Sequence, residues 1–290
     1  MTTHEIGVSQ RDVKDHWYVH YHKNGYPHVQ NAMILSPDRW RDFDPFILMA
    51  EDWFKRGTFS DHPHRGFQTV TYVIDGRLEH IDNAGGRSIL EAGDAQYMNA
   101  GWAARHAEEA VDDDLIHTLQ LWLNLPKSLK NTKTLYQDIY SEDAPRKSFE
   151  GGAIKVYSGT IEGLKGPLET LVPITFVEIT LAAGATYTHR LPENHNAFAY
   201  VLSGELEVGS SKTVVRKTGA MTFTFLEHGQ EENESTLLLT AKKRSKILIY
   251  SGVPIREEVV AYGPFVMNTM EEIEQAYRDF HAGKFGPPAV

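Results

Sequence analysis

The chain has 290 residues, with 29 lysines and arginines against 39 aspartates and glutamates (formal net charge −10), 41% hydrophobic residues and no cysteine. That apolar share rules out wholesale disorder, and the missing thiols rule out disulfide scaffolds, thiolate zinc sites, iron–sulfur clusters and a cysteine nucleophile. The acidic balance disfavours a direct grip on nucleic acid, no apolar run is long enough to span a membrane, and the N-terminal segment lacks the order of a signal peptide, so a cytoplasmic protein is expected.

From about residue 30 to 260 the chain reads as strands. Short runs rich in Val, Ile, Thr, Tyr and Phe recur at 69–74, 119–123, 176–181, 198–202, 221–226 and 247–251, divided by Gly, Asp and Asn turns. Such punctuation predicts an all-β barrel or sandwich. One helix closes the chain at Met270–His281, with Thr269 and Glu272 spaced as a capping box, Ile273, Ala276, Tyr277 and Phe280 as the apolar stripe, and Gly283 as the stop.

An internal repeat sets the domain count. Tyr72-Val73-Ile74-Asp75-Gly76-Arg77-Leu78-Glu79 recurs 128 residues later as Tyr200-Val201-Leu202-Ser203-Gly204-Glu205-Leu206-Glu207, and a second glycine follows each copy, Gly93 and Gly219. A repeated strand–turn–strand unit in a chain of this length implies a duplicated small barrel. The segment 124–150, with Pro126 and Pro145, is expected to cross between the halves, giving domains at 1–135 and 136–290.

The chemistry gathers in the first half. His62 and His64 stand at i and i+2, and His106 and Glu108 repeat that spacing after the strand opened at Gly93. On extended chain, period-2 geometry points each pair to one face. Facing each other inside a barrel, the two pairs offer three imidazoles and a carboxylate, a set suited to Fe, Mn, Ni, Cu or Zn rather than Mg or Ca. A lone His-x-His is more often solvated surface; two matched pairs reverse that reading.

Other features read as ordinary surface. His20 and His22, with His16 and His28 nearby, have no matching partner pair. Lys242, Lys243, Arg244 and Lys246 fit a charged hairpin tip, and Asp112, Asp113 and Asp114 a solvated loop. There is no phosphate-cradling glycine loop and no Gly-x-Ser-x-Gly elbow. In the second half, a shift of 128 puts Arg190 and Pro192 where His62 and His64 stand, and a shift of 126 puts Glu232 and Glu234 at His106 and Glu108. That copy is therefore expected to bind no metal, the rival being a slipped register that regroups His189, His195 and His228.

Here the residues reach a family. Asp61-His62-Pro63-His64-Arg65-Gly66-Phe67, Gly93-Asp94, Asn99-Ala100-Gly101, His106-Ala107-Glu108, the run from Leu119 to Leu125 and Gly263-Pro264-Phe265-Val266-Met267-Asn268-Thr269 closely resemble the pirins of the cupin superfamily. The resemblance implies a bicupin, two tandem antiparallel β-barrel or jelly-roll domains. It also implies one metal, usually iron, held in the first barrel by His62, His64, His106 and Glu108. Many cupins carry Glu four residues after the second His; here Gln68 stands there, free to hydrogen-bond a ligand or a bound water.

Two functions compete under that resemblance. One is a quercetin 2,3-dioxygenase, opening a flavonol ring with O2 and releasing carbon monoxide, with Glu108 as the base and Phe67, Met98 and Trp102 as candidate apolar wall, core packing being the more ordinary duty for any one of them. The other is an iron-dependent redox switch acting on a transcription or metabolic partner protein. A monomer is expected in either case.

Overall fold

The computed structural model describes residues 8–226, 229–230 and 233–290. The architecture is mostly strand, built as two cupin-type antiparallel units, and the single long helix occupies Met270–His281 as the capping box predicts. Thr269 accepts the Glu272 amide while the Glu272 carboxylate accepts the Asn268 and Thr269 amides. No helix among the described residues is long and apolar enough to cross a membrane.

The first barrel faces two sheets together. A seven-stranded sheet runs Leu135–Ile139, Ala95–Asn99, Phe67–Asp75, Ile116–Asn124, Phe46–Phe54, His28–Leu35 and His22–Lys23, in spatial order. A four-stranded sheet runs Phe59–His64, Ala104–Ala110, Leu78–Asp82 and Arg87–Leu90. The hairpin predicted around Gly76 is present, and Gly76 sits at φ +82°, where only glycine is unstrained. Its repeat, Gly204, takes φ +85° in the second unit.

The second unit is one large sheet around the long Glu234–Gly252 strand. In spatial order it runs Arg146–Phe149, Gly152–Ser158, Ile174–Leu181, Glu234–Gly252, Asn196–Val208, Gly219–Phe223 and Val13–Tyr18, with further short strands on its edges. Its interior is dense aliphatic packing, including Ile154, Val177, Ile179, Leu191, Leu237, Leu239 and Ile249.

Three expectations differ from this architecture. The units are not cut at 135/136: the described residues of 8–19, 144–169 and 173–254 form one, and 20–143, 170–172 and 255–290 the other. Each end of the chain joins the unit built by the other half, since Val13–Tyr18 pairs with Gly219–Phe223 while Phe265, Ile273 and Phe285 pack with Ala103. The segment 124–150 is more than a crossing, because Leu135–Ile139 extends the first unit's sheet and Arg146–Phe149 the second's. The basic cluster lies within the Glu234–Gly252 strand, not at a hairpin tip, where Lys242 and Lys246 meet Glu207 and Glu178 on neighbouring strands.

Candidate functional site

The four-stranded sheet of the first barrel builds the site. His106 lies directly across from His62 in the antiparallel ladder, and Ala104 across from His64. A bulge between His106 and Glu108 re-aims the strand there. The ring centroids of His62 and His64 are 4.7 Å apart, those of His62 and His106 4.6 Å, and those of His64 and His106 5.1 Å. Each imidazole offers one nitrogen to a common point, with these atoms within 4.8 Å of one another; among the described residues this is the one such cluster of His and carboxylate ligands.

Burial and hydrogen bonding leave those nitrogens ready for a ligand. His64 and His106 are 3% and 1% exposed. The His62 Nδ1 lies 2.7 Å from the Ser60 carbonyl, which leaves Nε2 as the nitrogen it has to offer, and the His64 Nδ1 lies 3.4 Å from the Pro264 carbonyl. The His64 Nε2 and both nitrogens of His106 have no hydrogen-bond partner. Buried polar atoms are normally paired, so three orphaned nitrogens side by side indicate a missing partner. Desolvation, reinforced by the neighbouring histidines, pushes His64 and His106 well below the usual imidazole range, so both are neutral donors.

Glu108 stands apart from the three histidines. Its Oε1 accepts from the Thr71 hydroxyl at 2.9 Å and its Oε2 from the Gln120 amide at 2.6 Å, while Trp122 Nε1 donates to Gln120 Oε1 at 3.0 Å and so fixes which end of that amide faces the carboxylate. Glu108 lines a cavity of about 260 Å³ with Phe59, Leu48, Trp122, His28 and Asp52. His28 Nε2 is 2.8 Å from Asp52, whose carboxyl is pushed up by burial.

The loop after His64 is pinned from several sides. Gly66 has φ +87°, and a Cβ there would fall 2.0 Å from the Val266 carbonyl, so the close approach of these two segments needs glycine. Buried Lys130 donates to the carbonyls of Gly66 and Val266 at 2.7 and 3.1 Å and to Asn124 Oδ1 at 3.0 Å; burial lowers its pKa to about 7 against the pull of Glu257 and Glu272. Arg65 pairs with Asp279 of the C-terminal helix at 2.8 Å, and both are buried.

Several expected roles fall elsewhere. Gln68 faces away from the histidines: its Oε1 accepts from Tyr97 and from the Leu171 amide, and its Nε2 donates to the Asn124 carbonyl. Phe67 and Met98 are core residues, 0% and 1% exposed, and Trp102 lines a different cavity from Glu108. The surface reading of His16, His20 and His22 agrees with their exposure, whereas His28 faces the Glu108 cavity. In the second barrel Arg190 points outward to Glu234 at 2.9 Å, and the inward residues of that strand are Tyr187, His189 and Leu191. His189 is buried among aliphatic side chains, and His195 instead meets Ser251. Glu232 and His228 lie outside the described residues.

One pair escaped the sequence reading. His80 lies across the ladder from Glu108, and Asp82 across from His106, so both share the inward face of the sheet with the site. The signal was a further i, i+2 pair of ligand-type residues, standing directly after the repeated hairpin.

Comparison with known proteins agrees with the two-cupin fold. Residues 29–123 match the family model described as Pirin, and residues 176–286 the one described as Pirin C-terminal cupin domain. Human pirin is 37% identical over 252 residues, covering 85% of this chain and 84% of that protein. A solved structure of quercetin 2,3-dioxygenase from Acinetobacter baumannii is 30% identical with a TM-score of 0.84, and the match covers 96% of this chain and 99% of that one. GK1651 from Geobacillus kaustophilus is 38% identical with a TM-score of 0.83, covering 87% of this chain and all (100%) of that one.

Proposed function

The chain belongs to the pirin family of cupins, and from that premise we propose that it is a metal-dependent dioxygenase of the quercetin 2,3-dioxygenase type. The observation that carries this reading is the convergence of imidazole nitrogens from His62, His64 and His106, with the His64 Nε2 and both His106 nitrogens left without a hydrogen-bond partner. These three would hold one first-row divalent ion, iron for oxygen chemistry, with Glu108 as the fourth donor. When bound, the ion supplies a Lewis-acid centre for the flavonol 3-hydroxyl and a redox partner for O2.

The chain's own residues then do the rest. Glu108 accepts the proton of the 3-hydroxyl, and Thr71 and Gln120 hold its carboxylate at the cavity wall. Trp122 orients Gln120 for that task. Phe59, Leu48 and Trp122 give the ring system an apolar wall and keep bulk water away.

Oxygen uptake and carbon monoxide release with quercetin test the proposal. Iron-loaded wild type should consume O2 and the metal-stripped chain should not. Glu108→Gln should keep its metal and lose turnover by about 100-fold or more, the scale of a removed general base. If the iron-loaded protein consumes no O2 with any flavonol, the dioxygenase reading fails and the redox-switch role, acting on a partner protein, takes its place.

A further inference from the structure

A second cavity in the first barrel has no role in the chemistry above. It measures about 760 Å³, within the size range of small-molecule sites, and shares no lining residue with the Glu108 cavity. His80 lines it, 2% exposed, with neither ring nitrogen hydrogen-bonded. The Asp82 Oδ2 lies 3.5 Å from Nε2, too far for a good bond. A buried imidazole left this way is costly, and since it borders a cavity the partner is supplied by what enters.

The lining restricts what that is. Asp82 Oδ1 accepts the Ala84 and Gly86 amides, and Asp138 Oδ1 accepts the Gln96 amide at 2.7 Å, which leaves the second oxygen of each carboxylate to accept. Two carboxylates repel an anion; of the two cations in the lining, Arg87 is already taken by Glu79 and Lys133 is exposed, where water screens its charge. A metal is disfavoured, because among the described residues the ligand-type side chains close enough to chelate are the three histidines of the other site. Hydroxyl groups fit: each donates to a carboxylate oxygen, and His80 donates to or accepts from a third position. Trp102 and Leu135 offer the apolar surface against which a flat ring face lies.

We propose that this cavity is a binding site for a neutral molecule bearing vicinal hydroxyls, held by His80, Asp82 and Asp138. A sugar and a catechol ring share that chemistry. The proposal does not depend on the dioxygenase reading, although the His80 ring sits 5.4 Å from that of His106 and places the occupant one imidazole away from the metal cluster.

Calorimetric titration of the full chain tests it, with methyl α-glucopyranoside, catechol and resorcinol as probes. Catechol chelates metals, so the titrations use EDTA-treated protein, and Trp102 fluorescence gives a second readout. One-to-one binding of the glucoside or of catechol is expected, and whichever binds identifies the source of the hydroxyls. Resorcinol, whose hydroxyls are not adjacent, should bind at least tenfold more weakly than catechol if catechol is the ligand. Asp138→Asn, which keeps the bond from Gln96 but loses the free acceptor, and Ser88→Phe, which fills the cavity, should each weaken binding at least tenfold. Failure of both the glucoside and catechol to bind overturns the proposal, as does binding that neither cavity variant weakens or, with catechol as the ligand, equal binding of resorcinol.

Discussion

In the first barrel His62 faces His106 across the ladder, with His64 and Glu108 completing the inward row; in the second, the matching ladder sets His189 against Leu237, and Leu191 and Leu239 complete it. One scaffold therefore carries a polar interior in one copy and an aliphatic one in the other. The first copy keeps orphaned nitrogens that only a ligand satisfies. The second has replaced three of the four polar positions by leucine, and His189 alone remains, with no hydrogen-bond partner. An interior of aliphatic side chains packs its centre without polar demands, and the one unpaired imidazole left in it is a liability.

The largest effect should come from removing a polar position in the first barrel. His106→Ala takes away one of three converging nitrogens, and metal affinity should fall by more than about 100-fold, beyond the loss seen when only an outer-shell partner is removed. Metal analysis after dialysis against a weak chelator measures this. Full metal content in the variant would place the ion elsewhere and break the comparison at its root.

Next is the bracing that the polar interior receives. Asp279→Ala leaves the buried Arg65 guanidinium without its carboxylate, next to His64 in the chain. Breaking a buried ion pair by removing one partner costs about 3 kcal/mol or more, read as a lower midpoint in urea. An unchanged midpoint would show that the backbone bonds of Arg65 to Pro264 and Val266 suffice to hold the loop.

How much of this was legible in the sequence follows the same lines. The His-x-His and His-x-Glu pairs were readable because alternation on a half-buried strand repeats every two residues, and the helix because its capping box is a local signal. The counterparts of His62 and His64 were misread because a one-residue error in a strand turns every side chain to the other face: the true match, His189, is one residue short of the 128-residue displacement that gave Arg190, while Leu237 and Leu239 lie five residues beyond the positions that the 126-residue displacement gave. The exchange of chain ends between the units was hidden, since Val13–Tyr18 pairs with a strand some 200 residues away and nothing local records it. His80 and Asp82 were passed over because a single His with a nearby carboxylate is common in any chain; only the ladder register puts them beside His106 and Glu108.

His189→Leu should therefore stabilise the protein. An unpaired buried polar side chain costs about 1–3 kcal/mol, and leucine matches the aliphatic surroundings. The gain should grow in acid. Desolvation lowers the folded-state pKa of His189 from 6.5 to about 4, so between these values the unfolded chain binds a proton that the folded chain refuses. Wild-type stability then falls as pH drops from about 6.5 to 4, by up to roughly 3 kcal/mol from this residue, and the variant escapes that loss. His195, also lowered to about 4, acts with the same sign in both proteins and cancels from the difference. Urea midpoints at pH 7 and pH 5 give the test; a variant no more stable than wild type at either pH would mean that His189 has a partner in solution.

The smallest effect belongs to the neighbouring residue, and it decides the parity of the strand. Arg190 and Glu234 are more than half exposed and pair at 2.9 Å on the outer face. An exposed pair gains little Coulomb energy in water and gives much of that back in side-chain freedom. Arg190→Ala should therefore shift the melting temperature by no more than about 1 °C, since the exposed pair contributes so little to a chain of this size. The same substitution at an inward position would strip contacts from the barrel's centre and move the melting point several-fold further. Measured beside His189→Leu, the two adjacent variants should move in opposite directions or by very different amounts, because one side chain meets water and the other is buried in the barrel's interior. Equal shifts at 189 and 190 would mean that the strand does not alternate as described, and the correspondence between His62 and His189 would fail with it.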